Sequence, residues 1–169
     1  MPKVAIALGS NLGDRMDHLR RAAASLADFV GLTGISRVYE TAPMYVEDQP
    51  AYLNAVVAGS TDLGPIALLR RLKALEREIG RIPTVRYGPR EIDLDLIVYG
   101  RLSLRSVECG RTWLQVPHPR VSERRFVLAP LAEALGDAVL PGMGSVQAML
   151  ERTSRQAADV RPLAEALTG

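Results

Sequence analysis

Apolar positions in this chain alternate, then recur every three to four residues, and repeat that cycle over the first hundred positions. Lys3 to Leu8 is a short apolar run ending at Gly9, which predicts a first strand. Gly9 to Asp14 is a turn, with Asn11 or Asp14 available to cap a helix. From Met16 the residues Leu19, Ala22, Ala23, Leu26 and Phe29 keep helical spacing until Gly31. Residues 33–40 alternate as a second strand and Leu53 to Ser60 as a third, with an irregular loop at 41–50 between them. Pro65 opens a second helix whose stripe is Ile66, Leu69, Leu72, Leu75 and Ile79, and Gly80 ends it. A fourth strand follows a Pro- and Gly-containing loop at 81–91. The order is β-α-β-β-α-β, which predicts a ferredoxin-like α+β fold: an antiparallel sheet with helices packed on it. Residues 101–120 read as irregular or as short strands, 122–135 and 144–152 as C-terminal helical additions, and 155–169 as a short strand or helix.

The fourth strand carries the chemistry. From Ile92 to Val98 the apolar Ile92, Leu94, Leu96 and Val98 alternate with Asp93, Asp95 and Ile97. Period-two geometry puts both acids on one face, roughly 6.5–7 Å apart at Cα, and the same alternation brings Tyr99 near them. Two adjacent carboxylates raise each other's pKa unless a cation joins them. Their hard oxygens suit Mg²⁺, which keeps several waters and also takes substrate phosphates. Arg81, Arg86 and Arg90 lie just upstream, with geometry suited to phosphate. A bare D-x-D is also what the solvated face of an edge strand looks like. The apolar Leu-Ile-Val-Tyr that follows argues for burial here, where unpaired acids are costly. The segment therefore reads as a phosphoryl-transfer site.

Composition narrows the class. The 169 residues make one domain, with 47% hydrophobic and 24% charged positions, as in ordinary globular proteins. No run approaches the ~18 apolar residues of a membrane span. The N-terminal Met-Pro-Lys-Val lacks an apolar signal core, and a lone Cys109 excludes an internal disulfide; both predict a cytoplasmic protein. A net charge of +2 is too balanced for a nucleic-acid footprint, and local basic clusters suit a small polyanion better. The expected partners are therefore small molecules, with no nucleic acid, no membrane, and a monomeric chain.

Five segments occur in an order that resembles one family: 9–14 (Gly-Ser-Asn-Leu-Gly-Asp), 52–55 (Tyr-Leu-Asn-Ala), 76–81 (Glu-Arg-Glu-Ile-Gly-Arg), 86–95 (Arg-Tyr-Gly-Pro-Arg-Glu-Ile-Asp-Leu-Asp) and 116–120 (Val-Pro-His-Pro-Arg). The chain is similar, over residues of about 3 to 150, to the 6-hydroxymethyl-7,8-dihydropterin pyrophosphokinases of folate biosynthesis. That resemblance implies transfer of pyrophosphate from the co-substrate ATP to a pterin alcohol, with Asp93 and Asp95 holding two Mg²⁺ ions. Arg81 and Arg90 would complete the catalytic set by contacting the phosphates. Lys73, Glu76, Tyr87, Leu96, His118 and Arg124 would join them in holding ATP. Thr41, Ala42, Met44, Tyr52, Asn54, Tyr87, Asp93 and Phe126 would form the pterin site, and loops 41–51 and 81–90 would close over the substrates. Tyr87 stands where the family often has Trp, and Lys73 where a Gln contacts the nucleotide. On pattern alone Phe126 belongs to a core and Glu76 and Arg81 to a helix-end surface. Two other readings fit the acids: a Mg²⁺-dependent nucleotidyltransferase, and a non-catalytic ferredoxin-like nucleic-acid-binding module, which needs exposed aromatics on its sheet face.

Overall fold

In the computed structural model, which describes residues 1–42, 48–82, 88–108 and 111–167, the chain runs β1 (Lys3–Ser10), α1 (Arg15–Leu26), β2 (Gly31–Ile35), β3 (Tyr39–Thr41), β4 (Tyr52–Ser60), α2 (Pro65–Ile79) and β5 (Asp93–Tyr99). A hairpin of β6 (Leu104–Glu108) and β7 (Arg111–Val116) follows. Then come α3 (Arg125–Leu135), the two-residue strands β8 (Val139–Leu140) and β9 (Gly144–Ser145), α4 (Val146–Arg152) and β10 (Val160–Pro162). The sheet order is β10-β3-β4-β1-β5, with β2 also paired to β4, and all its pairs are antiparallel. Its β3-β4-β1-β5 centre is the ferredoxin-like arrangement that the β-α-β-β-α-β pattern predicts.

The helix signals act where the pattern puts them. Asp14, not Asn11, caps α1 by accepting from the Asp17 N–H at 3.0 Å. Pro65 sits in the first turn of α2, and Gly80 ends it at φ 119°, a conformation that costs Gly little. α1 and α2 cover one face, packing Leu19, Leu72 and Leu75 on Ile6, Leu8, Leu94 and Leu96. Truncating one such leucine to Ala costs about 2–5 kcal/mol. α3 and α4 cover part of the other face with Leu128, Leu131 and Met149 on Ala5, Val56 and Val98.

Two strands depart from simple alternation. The strand expected at 33–40 is divided into β2 and β3, because side chains replace ladder partners at the break. Ser36 Oγ accepts the Val56 N–H at 2.9 Å, and Glu133 accepts the Arg37 N–H at 2.9 Å. In β5, Ala5 pairs with Val98 while Ile6 pairs with Leu96, so Ile97 is an extra, bulged residue. Ile97 and Val98 consequently both pack on the α3 side. Tyr99 is thereby turned away from the acids, into the α1–α2 core, where its hydroxyl donates to the Leu63 carbonyl at 2.8 Å. The expectation that Tyr99 lies near Asp93 and Asp95 fails for this reason.

The C-terminal part takes the short strands and helices that its pattern allows. Residues 101–120 contain the β6–β7 hairpin, and α3 starts only at Arg125 after a short turn at Val121–Glu123. The tail closes the sheet as β10, pairing Val160 with Thr41.

Candidate active site

A cavity of about 230 Å³ opens on the α3 side of the sheet, and its floor is built by strand register. Gly9 pairs with Asn54 on one side and Asp93 on the other; Ala7 pairs with Val56 and Asp95. Small residues on β1 therefore leave a trough between the Asn54 amide and the two acids, roughly 9.5 Å wide by two strand spacings. A Cβ on Gly9 would meet Asn54 Oδ1 at 3.3 Å and begin to fill that trough. Thr41 and Ala42 from the end of β3, and Tyr52 from β4, extend the floor.

The amide end of the trough is pre-set. Buried Asn54 donates from Nδ2 to Thr41 Oγ1 at 2.7 Å, fixing the amide and leaving its oxygen as an acceptor. Tyr52 is half-buried, with its hydroxyl 3.4 Å from the Gly88 carbonyl, and burial raises its pKa. Phe126, from the first turn of α3, lines the opposite wall with Arg124, whose guanidinium lies 5.7 Å from its ring centre. Phe126 also packs at the edge of the α3–α4 core, as its pattern predicts.

The acid end is crowded with charge. Asp93 Oδ1 accepts from Arg81 Nη1 at 2.8 Å and Asp93 Oδ2 from Arg90 Nη1 at 2.9 Å. Arg81 also pairs with Glu76, whose side chain is only 3% exposed. Glu76 Oε1 accepts the Leu94 N–H at 2.7 Å and a bond from Lys73 Nζ at 2.6 Å, and Lys73 also donates to the Leu94 carbonyl at 2.9 Å. Glu76 is thus buried at the edge of β5 with Lys73 half-exposed beside it, and the two take the main-chain partners that no strand among the described residues supplies there.

The two acids are unequal. Burial opposes charge on Asp93, but Lys73, Arg90 and Arg81 outweigh it and hold the carboxyl below its usual range. Burial and then the charge of Asp93 push Asp95 up to about 6. Lys73 Nζ, 4.0 Å from both acids, pulls the other way, and the direct bonds from Arg81 and Arg90 go to Asp93. Arg81 moves the other way from its burial, raised by Asp93 and Glu76.

His118 lines the cavity, held by its own N–H to the Ile97 carbonyl at 3.0 Å. Its Nδ1 accepts the Arg120 N–H at 3.2 Å, which places the ring proton on Nε2. Burial and then Arg124 lower its pKa to about 4, so it is neutral at pH 7. Leu96 packs its side chain into the α1–α2 core, away from the cavity, so a ligand could meet only its backbone. Met44 and Tyr87 lie outside the described residues, as do 43–47 and 83–87 of the two closing loops.

Pattern reading missed Asn11 and Gln49. Buried Asn11 donates to Gln49 Oε1 at 2.9 Å and the Pro50 carbonyl at 3.1 Å, and its Oδ1 accepts the Arg90 N–H at 2.8 Å. It therefore ties the roots of both loops to the end of β1. The available signal was a second capping-type residue in a turn where Asp14 alone suffices.

The donor set fits a divalent cation of the Mg²⁺ type. It offers two carboxylates on one strand face, one of them carrying charge that its neighbours do not offset, beside a cavity with room for water and phosphate oxygens. Among the described residues no group of three or more His, Cys, Asp or Glu side chains could hold a metal alone, so the acid pair would need ligands from beyond those residues.

Residues 5–136 match the family model described as 7,8-dihydro-6-hydroxymethylpterin-pyrophosphokinase (HPPK). A 2-amino-4-hydroxy-6-hydroxymethyldihydropteridine pyrophosphokinase of Bacillus subtilis (strain 168) is 47% identical over 130 residues, covering 76% of this chain and 75% of that protein. A mitochondrial folate synthesis bifunctional protein of Arabidopsis thaliana is 49% identical over 138 residues, 81% of this chain and 24% of that one. The chain thus spans about a quarter of the length of such bifunctional relatives. A crystal structure of Plasmodium falciparum HPPK-DHPS with pterin and p-hydroxybenzoate shares the fold at a TM-score of 0.73 and 12% identity, over 95% of this chain and 47% of that one. Among the described residues no helix is long and apolar enough to cross a membrane. With its trough, acid pair and matching relatives, the chain belongs to the 7,8-dihydro-6-hydroxymethylpterin-pyrophosphokinase family.

Proposed function

We propose that this chain transfers the pyrophosphoryl group of ATP to the hydroxymethyl group of 6-hydroxymethyl-7,8-dihydropterin, giving the pterin diphosphate and AMP. The observation that carries the reading is the row Asn54–Gly9–Asp93 across three strands. It sets an amide that can read a heterocycle's polar edge beside acids that can bind metal-nucleotide. A flat ring lying on Gly9, with Phe126 and Tyr52 beside it, directs its hydroxymethyl arm at the acid end. Losing a buried amide partner is costly, so Asn54 discriminates strongly among rings.

Asp93 and Asp95 would hold two Mg²⁺ ions, which when bound neutralise polyphosphate charge and polarise the transferring group. Arg81 and Arg90, now on Asp93, are within reach of phosphate oxygens at the same wall. The pterin hydroxyl oxygen bonds to the β-phosphorus while the bond from that phosphorus to the oxygen bridging the α- and β-phosphates breaks. AMP departs with that oxygen, and the hydroxyl proton goes to solvent. No covalent enzyme intermediate is needed; orientation and fixed charge carry the acceleration. Neutral His118 offers Nε2–H as a donor, and Lys73, Glu76 and Arg124 complete the nucleotide side. The chain would act in the cytoplasm as a monomer on small molecules alone.

The test is incubation of the protein with ATP, Mg²⁺ and the pterin alcohol, followed by product analysis. Equal amounts of AMP and pterin diphosphate are expected. Free pyrophosphate with an AMP-linked pterin would mean nucleotidyl transfer instead, and neither product from a folded protein would refute both.

A further inference from the structure

The family reading places Lys73 on the nucleotide side but gives no reason for a charge where the family has a neutral Gln. Lys73 reaches from α2 around the outer edge of β5, and its ammonium is fastened there by Glu76 Oε1 at 2.6 Å and the Leu94 carbonyl at 2.9 Å. The same Glu76 oxygen accepts the Leu94 N–H, so both main-chain groups of Leu94 are taken by side chains one helical turn apart. From that anchorage Lys73 Nζ lies 4.0 Å from Asp93 Oδ1 and 4.0 Å from Asp95 Oδ1. Those distances exceed a hydrogen bond but are short for a charge interaction.

Arg81 and Arg90 differ from Lys73 in kind. Each donates directly to Asp93, and each long fork can swing to a phosphate oxygen. The lysine is bound to the protein's own backbone and has no such exchange to make. Lys73, Arg81 and Arg90 stand against Glu76, Asp93 and Asp95 in one set of contacts, three charges of each sign. A divalent cation entering alone would leave that set doubly positive, with a fixed ammonium facing it. A polyphosphate entering with it removes the excess.

We propose that Lys73 is the resident counter-cation of the acid pair: it positions Asp93 and Asp95 before substrate arrives and weakens the protein's hold on a divalent cation alone, so that metal is taken up with the polyphosphate. This rests on the metal reading of Asp93 and Asp95 given above. The lysine is a positioning residue acting through the two carboxylates.

The experiment measures Mn²⁺ binding to the full chain by calorimetry, with and without a non-hydrolysable ATP analogue. Lys73→Gln keeps a donor for Glu76 and Leu94 but removes the charge. Its affinity for Mn²⁺ alone should rise about tenfold or more, the effect of one unit charge at such range. The gain in Mn²⁺ affinity on adding the analogue should shrink by a similar factor. Arg77→Gln, the same charge change on the exposed side of α2, should leave Mn²⁺ affinity unchanged. Lys73→Arg should also bind Mn²⁺ as the unmodified chain does, and this variant decides the matter if Lys73→Gln fails to fold. Unchanged or weaker Mn²⁺ binding in folded Lys73→Gln overturns the proposal, as does a tenfold change in Lys73→Arg or an equal rise in Arg77→Gln. Absence of Mn²⁺ binding by the unmodified chain even with the analogue overturns the metal reading and this inference with it.

Discussion

Two clusters of opposite charges lie on this domain, one at Glu133 behind β3 and one at the free edge of β5. Glu133 accepts the Arg37 N–H at 2.9 Å, Arg37 Nε at 2.9 Å and Nη2 at 2.6 Å, and the Tyr39 hydroxyl at 2.5 Å. Burial works against its charge, but those bonds prevail and keep its pKa low, while burial and Glu133 push Tyr39 up to about 12. Every strong acceptor there has a donor from the protein. At β5 the donors are as numerous, yet they converge on Glu76 and Asp93, and Asp95 is left near 6. A cluster that serves structure is closed by its own residues. One that serves a ligand leaves an acid facing its cation without a direct hydrogen bond.

The largest break in that comparison is Asp95→Asn. Turnover should fall by about 10³-fold or more, given what a lost metal ligand removes from phosphoryl transfer. The metal-free protein should nevertheless melt higher, because the folded state raises this pKa and so disfavours the charged form. In the unmodified, metal-free chain that cost is absent below about pH 4 and grows as pH rises toward 6. A melt that falls at pH 7 on substitution would contradict the cost of burying that charge.

Asn54→Ala comes next. It should raise the pterin KM about 10- to 100-fold, from one unpaired polar contact, and leave ATP binding intact by calorimetry. A parallel loss of ATP affinity would mean that the two ends of the trough are not separate.

Glu133→Ala addresses the closed cluster. It should cost about 1 kcal/mol in urea unfolding at pH 7, a low figure because Arg37 is 60% exposed, with kcat unchanged. The sign follows from a lowered carboxyl pKa: the contribution is present above the unfolded value near 4.3 and disappears as pH drops through the folded one. A difference that persisted at pH 2 would have another origin.

The smallest effect belongs to Arg15→Ala. Its guanidinium donates to the Ala51 carbonyl at 2.8 Å and to Glu40 at 3.2 Å, beside Tyr52 and outside both clusters. A pterin KM raised about threefold, from one part-exposed bond, is expected in steady-state assays. No change at all would leave the root of that loop to Asn11 alone.

Much of this was readable because the signals were local. The α2 stripe, its Pro65 start and its Gly80 stop depend on neighbours along the chain, and the acids' shared face depends only on strand period. What resisted reading depends on partners far away in sequence. Glu76 has the spacing of a surface residue, and it is buried because the edge of β5 and Arg81 close over it. A short strand or helix was readable in the tail, but not that three residues of it would pair with β3. Asn11 resembles a cap until Gln49, Pro50 and Arg90 are seen around it. The bulge at Ile97 has no Gly or Pro to mark it, and it alone redirected Tyr99.

That bulge also bears on how the strand tolerates change. It lies after both acids, so residues 93–96 follow one reading frame in space and residues 98–99 the next. Deleting position 97 would leave a regular ladder, with Val98 on Ala5 and Tyr99 on Val4 as before. Both would keep their sides and only the packing of Ile97 would be lost, without moving Asp93 or Asp95 relative to Gly9 and Ala7. The extra residue is a buffer: length variation arising in the hairpin beyond it is absorbed before it can reach the acids.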